Sequence, residues 1–294
     1  MQGAARRGTM GDGPRQAVKR RRLRAELRNA RQGAGLTQDQ VAEAMDWSLS
    51  KIIRIEAGSV GVSTNDMRAL LKLYNISDPD RTEELLAIAR VARERSTAFK
   101  DAPPKLMQFI EYEAAASVIR GFQPLLVPGL LQTEEYARAV IQRLMPEEPK
   151  ARVEALVNIR MKRQQMLGRP DLKQLLFVLD EAALRRQVGG AAVMRRQVGH
   201  LAEMAQRPNM TLEVVPFNAG AHPGMQGPFV IFEFPDADDV LFLETSGGDL
   251  IIRDEREDIA IHEEQLDALH RLSLGRKGSQ GFLDDVAAQT NGQS

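Results

Sequence analysis

The spacing of hydrophobic residues divides the chain into a helical part and a mixed part. Over residues 15–74, apolar side chains recur at the three- and four-residue spacing of amphipathic helices. This pattern is interrupted at 33–35, 46–48 and 57–63. A further helix is predicted over Asp80–Arg95, and the pair Pro103-Pro104 ends the pattern, because a residue before proline disfavours helical backbone. The spacing therefore predicts an all-α domain over 15–98.

Helical and strand patterns are mixed beyond this point. Helices are predicted at Leu106–Ala116, Thr133–Arg143, Ala151–Leu167, Ala191–Gln206 and Asp254–Leu274. Strands are predicted at Leu175–Leu179, Thr211–Val215, Phe229–Phe234, Val240–Glu244 and Leu250–Arg253. Short turns separate the last three strands, which favours an antiparallel meander. Because helices and strands do not alternate strictly, the expected fold class is α+β, with a mixed α+β domain over 105–280.

The two ends of the chain lack the regular hydrophobic spacing of these domains. Residues 1–14 are rich in glycine and lack periodicity, which predicts a disordered N-terminus. Residues 281–294 form a C-terminal tail that contains one short helix-like stretch, Phe282–Gln289.

Composition excludes several classes of protein and of site. The 294 residues include no cysteine, which excludes disulfides, cysteine-ligated zinc or iron–sulfur sites and a thiol nucleophile. No apolar run approaches the ~20 residues of a membrane span, and the basic N-terminus lacks the apolar core of a signal peptide. We therefore expect a cytoplasmic protein without a membrane partner.

Charge is distributed unevenly between the two parts. Residues 1–100 hold 19 lysines and arginines against 12 acids, whereas residues 101–294 hold 21 against 28, so the formal net charge is zero. A basic end joined to an acidic body is typical of a nucleic-acid-binding module attached to a domain that does not bind nucleic acid.

A helix-turn-helix pattern lies within the basic part. Thr37 and Gln40 form a capping box at the start of one short helix. After a break at Asp46, Ser48 can cap a second short helix that places Ile52 and Ile55 on one face. Two short helices with a tight break inside a small helical bundle are typical of a helix-turn-helix, whose second helix enters the DNA major groove.

The face of this second helix opposite its isoleucines carries the candidate DNA contacts. A rotation of about 100° per residue puts Ser50 and Arg54 on the outward face. The Arg54 guanidinium suits a guanine edge, and the Lys51 ammonium on one flank suits a phosphate. Leu49 and Ile53 lie on the other flank, where either could touch a thymine methyl.

The window Gly35–Gly58 resembles the phage-repressor-like (XRE-type) helix-turn-helix domains. It has Thr-Gln at the first helix start, Val-Ala inside it, and Ser-x-Ile-x-Arg-Ile-Glu-x-Gly through the second helix. The resemblance implies a phosphate contact by Gln38, groove positions for Ser48 and Ser50, base reading by Arg54 and a bracing role for Glu56. Leu49 departs from the polar residue often found at its position. An all-α interaction domain without a DNA role is the alternative.

The second domain lacks the usual signatures of catalysis and cofactor binding. It has no phosphate-binding G-x-x-x-x-G-K-[ST], no G-x-G-x-x-G and no H-E-x-x-H. Its four histidines do not occur at a tight metal-binding spacing. We therefore expect no enzyme activity, no cofactor and no metal. An attached enzyme domain is the alternative, which a convergent cluster of acids, bases or metal ligands would favour.

A second resemblance covers roughly residues 105–280. The run Phe122-Gln-Pro-Leu-Leu-Val-Pro-Gly-Leu-Leu-Gln-Thr-Glu-Glu-Tyr-Ala137 opens it, and further matches follow in order, among them Val214-Val-Pro-Phe-Asn-Ala-Gly-Ala-His222. These motifs resemble the C-terminal domain of actinobacterial, antitoxin-like (WhiJ-type) regulators. The resemblance implies a transcription factor often paired with a small partner protein encoded nearby.

Within this domain, Glu181, His222 and Glu244 form a candidate ligand or partner site, with a purely structural role as the alternative. The hypothesis for the whole chain is a sequence-specific transcriptional regulator. It would bind double-stranded DNA as a homodimer on a pseudo-palindrome, at the nucleoid, with a partner- or effector-responsive C-terminal domain. The alternative is an antitoxin-like interaction module whose main role is to bind a small partner protein.

Overall fold

A computed structural model describes residues 13–56, 60–93, 99, 102–235, 237–244 and 250–289. The chain divides into two compact units. The first comprises Met1–Lys100 and Ile110–Ala115, and the second comprises Asp101–Phe109 and Ala116–Ser294. Most of the segment predicted to be disordered, 1–12, lies outside the described residues, as do 94–98, the end of the C-terminal tail and Gly58 of the helix-turn-helix window.

Helices build the described part of the first unit. They are α1 (Gly13–Gly33), α2 (Gln38–Ala44), α3 (Leu49–Glu56), α4 (Thr64–Leu73) and α5 (Pro79–Arg93). The helical pattern thus begins two residues earlier than predicted. Each helix contributes buried apolar residues to one core, among them Leu27, Val41, Ile52, Leu70 and Leu85. This packing confirms the N-terminal helical bundle.

Three of these helices end in the same hydrogen-bonding motif. At the end of α2, the Asp46 N–H donates to Glu43 O (3.2 Å) and the Trp47 N–H donates to Ala42 O (2.9 Å), which is the Schellman arrangement. Asp46 adopts a left-handed backbone with φ 52°. Gly35 and Asn75 occupy the equivalent positions after α1 and α4. The reversal after α2 forms the turn between α2 and α3.

A mixed six-stranded sheet forms the centre of the second unit. Its strands are β1 (Val118–Gln123), β2 (Gln174–Asp180), β3 (Met210–Val215), β4 (Phe229–Phe234), β5 (Ala237–Glu244) and β6 (Leu250–Arg253), in the spatial order β3-β2-β1-β4-β5-β6. β1, β2 and β3 are parallel, and β4, β5 and β6 continue from β1 as an antiparallel meander. The expected α+β class and the meander are confirmed.

Close backbone packing fixes the centre of this sheet. A side chain at Gly121 on β1 would lie 2.6 Å from the carbonyl oxygen of Phe229 on β4. The ring of Phe122 leaves equally little room at Gly224, where a Cβ would lie 2.3 Å from the ring. The loop after β3 therefore lies directly on β1.

Helices follow or cover these strands. They are α6 (Pro104–Ala115), α7 (Glu134–Leu144), α8 (Lys150–Arg163), α9 (Glu181–Arg185), α10 (Ala191–Met204), α11 (Arg256–Leu272) and α12 (Gly275–Gln289). The last six residues of α6, Ile110–Ala115, are assigned to the first unit. α11 packs Ile259, Leu266 and Leu269 against one face of the sheet, where Phe122 and Ile231 belong to the same buried cluster. No described helix is long and apolar enough to cross a membrane.

Candidate nucleic-acid interface

Helix α3 has one buried face and one exposed face. Ile52 and Ile55 are only 1 % and 4 % exposed and anchor the helix in the core of the first unit. Ser50 and Arg54 are exposed on the opposite side. Leu49 and Ile53 are 37 % and 45 % exposed. Leu49, Ser50, Ile53 and Arg54 are therefore accessible together on one short helix, with Ser48 exposed immediately before it.

Ser48 and Lys51 define the start of α3 and one of its flanks. The Ser48 hydroxyl accepts a hydrogen bond from the Lys51 N–H at 3.3 Å, which caps the helix as predicted. The Lys51 ammonium lies 3.4 Å from the centre of the Trp47 ring and 3.4 Å from Asp66 Oδ2. A phosphate contact by Lys51 would compete with these two partners, so the role predicted for it from sequence stays a prediction.

Glu56 joins three helices behind the exposed face. It is 2 % exposed and accepts hydrogen bonds from Arg31 Nε (2.6 Å), Arg31 Nη2 (3.1 Å) and Gln38 Nε2 (2.8 Å). Arg31 also donates to Leu36 O at 2.8 Å. This arrangement links α1, α2 and α3, and it agrees with the bracing role that the resemblance implies for Glu56.

These contacts also set the charge states of the group. Burial alone would raise the pKa of Glu56, but the hydrogen bonds from Arg31 and Gln38 outweigh it, so that this pKa is lowered. The hydrogen bond to Glu56 raises the pKa of Arg31. Burial raises the pKa of the neighbouring Tyr74 to about 12, and the negative charge of Glu56 adds to that effect. The ion pair therefore remains charged and Tyr74 remains neutral near pH 7.

The Gln38 amide nitrogen donates one of its two hydrogens to the buried Glu56. The phosphate contact that the resemblance implies for this side chain stays a prediction. Gln38 is the first residue of α2, so its backbone N–H remains a candidate donor to an anion. Arg28 and Gln32 line an open depression beside this first turn. Sequence reasoning missed these two residues, although their four-residue spacing on α1 places them on one helix face.

A second cluster lies where β2 ends in the other unit. Asp180 Oδ1 accepts from the Ala182 N–H (2.8 Å) and caps α9, while Oδ2 lies 3.1 Å from His222 Nε2. Glu181 Oε2 accepts from the Phe217 N–H at 2.8 Å, and its other oxygen pairs with Arg185. The structure therefore brings Glu181 and His222 together through the segment that follows β3, and it adds Asp180, which was not predicted as a site residue.

The His222 side chain at the centre of this cluster is buried. The His222 side chain is 5 % exposed and packs edge-on against Phe122, with 5.7 Å between ring centres. Its Nδ1 atom is buried without a protein partner among the described residues. In contrast, Phe217 and Met225 in the same segment are 59 % and 71 % exposed.

Glu244 does not join this cluster. It is exposed at the end of β5, three strand positions away from β2 and hence about 14 Å away in the sheet. The three residues predicted as one site therefore share an edge of the sheet, and only Glu181 and His222 contact neighbouring residues of one cluster, Asp180–Glu181 and the segment that follows β3. In the described part of the chain, no group of three or more histidines and acids is placed to hold a metal ion.

Comparison with known families assigns each unit. A family model described as a domain of unknown function (DUF5753) matches residues 106–285, which is more than half of the chain. The chain belongs to this family. A second model, described as a helix-turn-helix domain, matches residues 22–85. No curated protein and no solved structure matches the chain.

The two matches separate the candidate sites. The helix-turn-helix match contains α2, α3 and the Arg31–Glu56 pair, and it supports a DNA-binding regulator with double-stranded DNA as partner. The DUF5753 match contains Glu181, His222 and Glu244 and carries no description of function.

Proposed function

We propose that this protein is a sequence-specific transcriptional regulator that inserts α3 into the DNA major groove. The observation that carries the proposal is the orientation of α3, which buries Ile52 and Ile55 and leaves Ser50 and Arg54 exposed. In helix-turn-helix proteins, the second helix lies in the major groove and presents its exposed side chains to base edges. The fork of donors on Arg54 fits the O6 and N7 acceptors of guanine, and the Ser50 hydroxyl can serve either base type.

Contacts to the DNA backbone would position this helix. Arg28, Gln32 and the backbone N–H groups at the start of α2 lie on one accessible surface of the first unit and suit phosphate oxygens. Such contacts are independent of sequence and weaken as salt increases. The net positive charge of residues 1–100 supports this part of the proposal.

We also propose that the regulator acts as a homodimer on a pseudo-palindromic site. One α3 per subunit reads only a short half-site, and two half-sites about one helical turn apart provide the specificity of a dimer. Sedimentation of the full chain with and without DNA tests this statement. A monomer bound to a single half-site at all concentrations would contradict it.

The DUF5753 domain is proposed to be a non-catalytic domain that responds to a partner or effector, as the likeness to WhiJ-type, antitoxin-like regulators implies. The exposure of Phe217 and Met225 beside the Asp180–His222 contact supports a binding role for this edge. Co-purification with the small protein encoded nearby tests the partner. If operator affinity does not change when that partner is added, the regulatory link fails.

The test of DNA binding uses the full chain. Duplexes selected from a random-sequence pool would be measured against the wild type, Arg54→Ala and Arg90→Ala, the last removing an exposed arginine from α5 as a matched control. Arg54→Ala should weaken binding to the selected site by about 1–3 kcal/mol and relax the base preference at one position. Arg90→Ala should leave that preference unchanged. Equal affinity and equal preference for Arg54→Ala and wild type would reject the assignment.

A further inference from the structure

The exposed surface of α3 consists of two parallel rows with different chemistry. Ser50 and Arg54 form a polar row, and Leu49 and Ile53 form an apolar row. Residues four positions apart in a helix are neighbours, with about 5–6 Å between their Cβ atoms. Each residue of the apolar row directly precedes one of the polar row in sequence, so the two rows are about 100° apart around the helix. Two aliphatic side chains therefore stand side by side along the polar row that the proposed function assigns to base reading.

Leu49 and Ile53 are far more exposed than the isoleucines that anchor α3 in the core. The buried cluster of that unit includes Ile52 and Ile55 from the same helix. Neither Leu49 nor Ile53 belongs to this cluster or to the partly buried residues packed against it in the described part of the chain. An isolated exposed aliphatic residue is ordinary, whereas two adjacent ones beside the polar row of this helix offer an apolar contact to the base edges that the polar row faces.

The other flank of α3 offers a charged side chain, not an apolar partner, among the residues that the structure describes. Lys51 lies there, held against Trp47 and Asp66. Leu49 and Ile53 are each two residues from Lys51, or about 160° away around the helix by the shorter way. The apolar row therefore remains accessible when the helix is seated in its own domain.

We propose that Leu49 and Ile53 read the C5-methyl groups of pyrimidines in the major groove. The thymine C5-methyl is the apolar group that the standard bases present in that groove, and it is a known contact for aliphatic side chains. This inference rests on the proposed DNA-binding function and adds a sequence requirement to it. The half-site contains methyl-bearing pyrimidines, on one strand or the other, next to the guanine that Arg54 contacts.

Two pyrimidines carry a C5-methyl group, thymine and 5-methylcytosine. A methyl-reading surface does not distinguish them by the methyl itself, whereas the polar row distinguishes the base pairs that carry it. Cytosine methylation within the half-site would therefore change affinity where it places a methyl group against the apolar row.

The full-length protein is first used to select a duplex from a random-sequence pool. The experiment then removes the methyl groups of that duplex one at a time. Each thymine is replaced by deoxyuridine, which removes only the methyl group. At one or two positions beside the guanine, affinity should fall about fourfold per methyl, the value expected for one buried carbon group. At such a position, a C·G pair should bind weakly and 5-methylcytosine·G should recover part of the loss.

Protein variants assign the effect to the row. Leu49→Ala and Ile53→Ala should each lose sensitivity to deoxyuridine at one position and keep the guanine preference that Arg54 confers. Ile261→Ala, which truncates a 51 % exposed isoleucine on α11, is the matched control and should keep the full sensitivity. Circular dichroism would verify that α3 variants remain folded, which alanine in a helix favours.

The outcomes separate this inference from the proposed function. If no duplex from the pool is enriched or bound, the proposed function fails. If DNA is bound through Arg54 and every deoxyuridine duplex binds as tightly as its thymine parent, only the methyl-reading inference is overturned. It is also overturned if Leu49→Ala and Ile53→Ala alter oligomeric state while their response to deoxyuridine equals that of the wild type.

Discussion

Arg31 and Glu56 form a paired contact across the first unit, with 2.6 Å between Nε and Oε1 and 3.1 Å between Nη2 and Oε2. The two residues are 25 positions apart, on α1 and at the last position of α3. Two parallel N–H···O bonds fix orientation as well as distance. The pair therefore sets the angle at which α3 presents Arg54, although neither residue lies on the exposed face.

Glu56→Gln should destabilise the first unit by about 2–3 kcal/mol, because it leaves the Arg31 charge partly buried without a carboxylate. Trp47 is the single tryptophan of the chain and lies in this unit, so its fluorescence during urea unfolding of the full chain reports the change. Glu43→Gln on the exposed side of α2 is the matched control and should change stability little. Equal midpoints for the two variants would contradict the role assigned to Glu56.

The same pair predicts how stability depends on pH. Because the pKa of Glu56 is lowered by folding, its contribution is complete above the ordinary glutamate value and is lost as the pH falls through the lower folded value. Urea midpoints from Trp47 fluorescence should therefore fall below about pH 4.3. The difference between wild type and Glu56→Gln should shrink over that range. A difference that stays constant down to full acid unfolding would show that the Glu56 charge contributes nothing.

The helix-turn-helix could be predicted closely because its determinants are local. The capping box of Thr37 and Gln40, the cap at Ser48 and the inward face of Ile52 and Ile55 all depend on residues within four positions of one another. The hydrogen bond from the Gln38 amide to Glu56 could not be predicted from spacing, because it depends on tertiary contact between α2 and the end of α3.

The second unit shows the limit of sequence patterns more clearly. All five predicted strands are present, but the central strand β1 was missed, because Arg120 and Gly121 interrupt its apolar pattern. Arg120 is accommodated there by Glu233 on β4 and Glu263 on α11, both distant in sequence. The candidate site was likewise split, since strand order placed Glu244 away from His222.

Gly121→Ala should destabilise the second unit by about 1–3 kcal/mol or more, because the new methyl group would lie 2.6 Å from the Phe229 carbonyl oxygen. Gly199→Ala is the matched control on α10, where a Cβ meets nothing within 4 Å. It should be neutral or stabilising by up to about 1 kcal/mol, since alanine favours helix. Thermal melting of both full-length variants, followed by circular dichroism, compares them. A Gly121→Ala protein as stable as wild type would show that the sheet relaxes at this point.

Lys51→Met tests whether the ammonium acts on DNA or within the protein. If Lys51 contacts a phosphate, the slope of log K against log salt should decrease by about one unit. The contacts to Trp47 and Asp66 predict instead an unchanged slope and a loss of about 0.5–1 kcal/mol in the free energy of unfolding. DNA titrations over a salt series, with urea unfolding of the same protein, separate the two. A reduced slope with unchanged stability would restore the phosphate role.

The β3 edge of the sheet provides the last prediction. The Val214 N–H donates to Ser279 Oγ and its carbonyl accepts from the Leu274 N–H, both at 2.9 Å, so α12 and the residue before it satisfy this edge. Ser279 is completely buried, and Ser279→Ala would leave the Val214 N–H without a partner at a cost of about 1–3 kcal/mol. Hydrogen exchange of β3 peptides should accelerate in this variant, because an unsatisfied edge opens more readily. Asp285→Ala, on the exposed side of α12, should leave the exchange of β3 unchanged. Unchanged exchange in Ser279→Ala as well would mean that the packing of Leu283 and Val286 alone closes this edge.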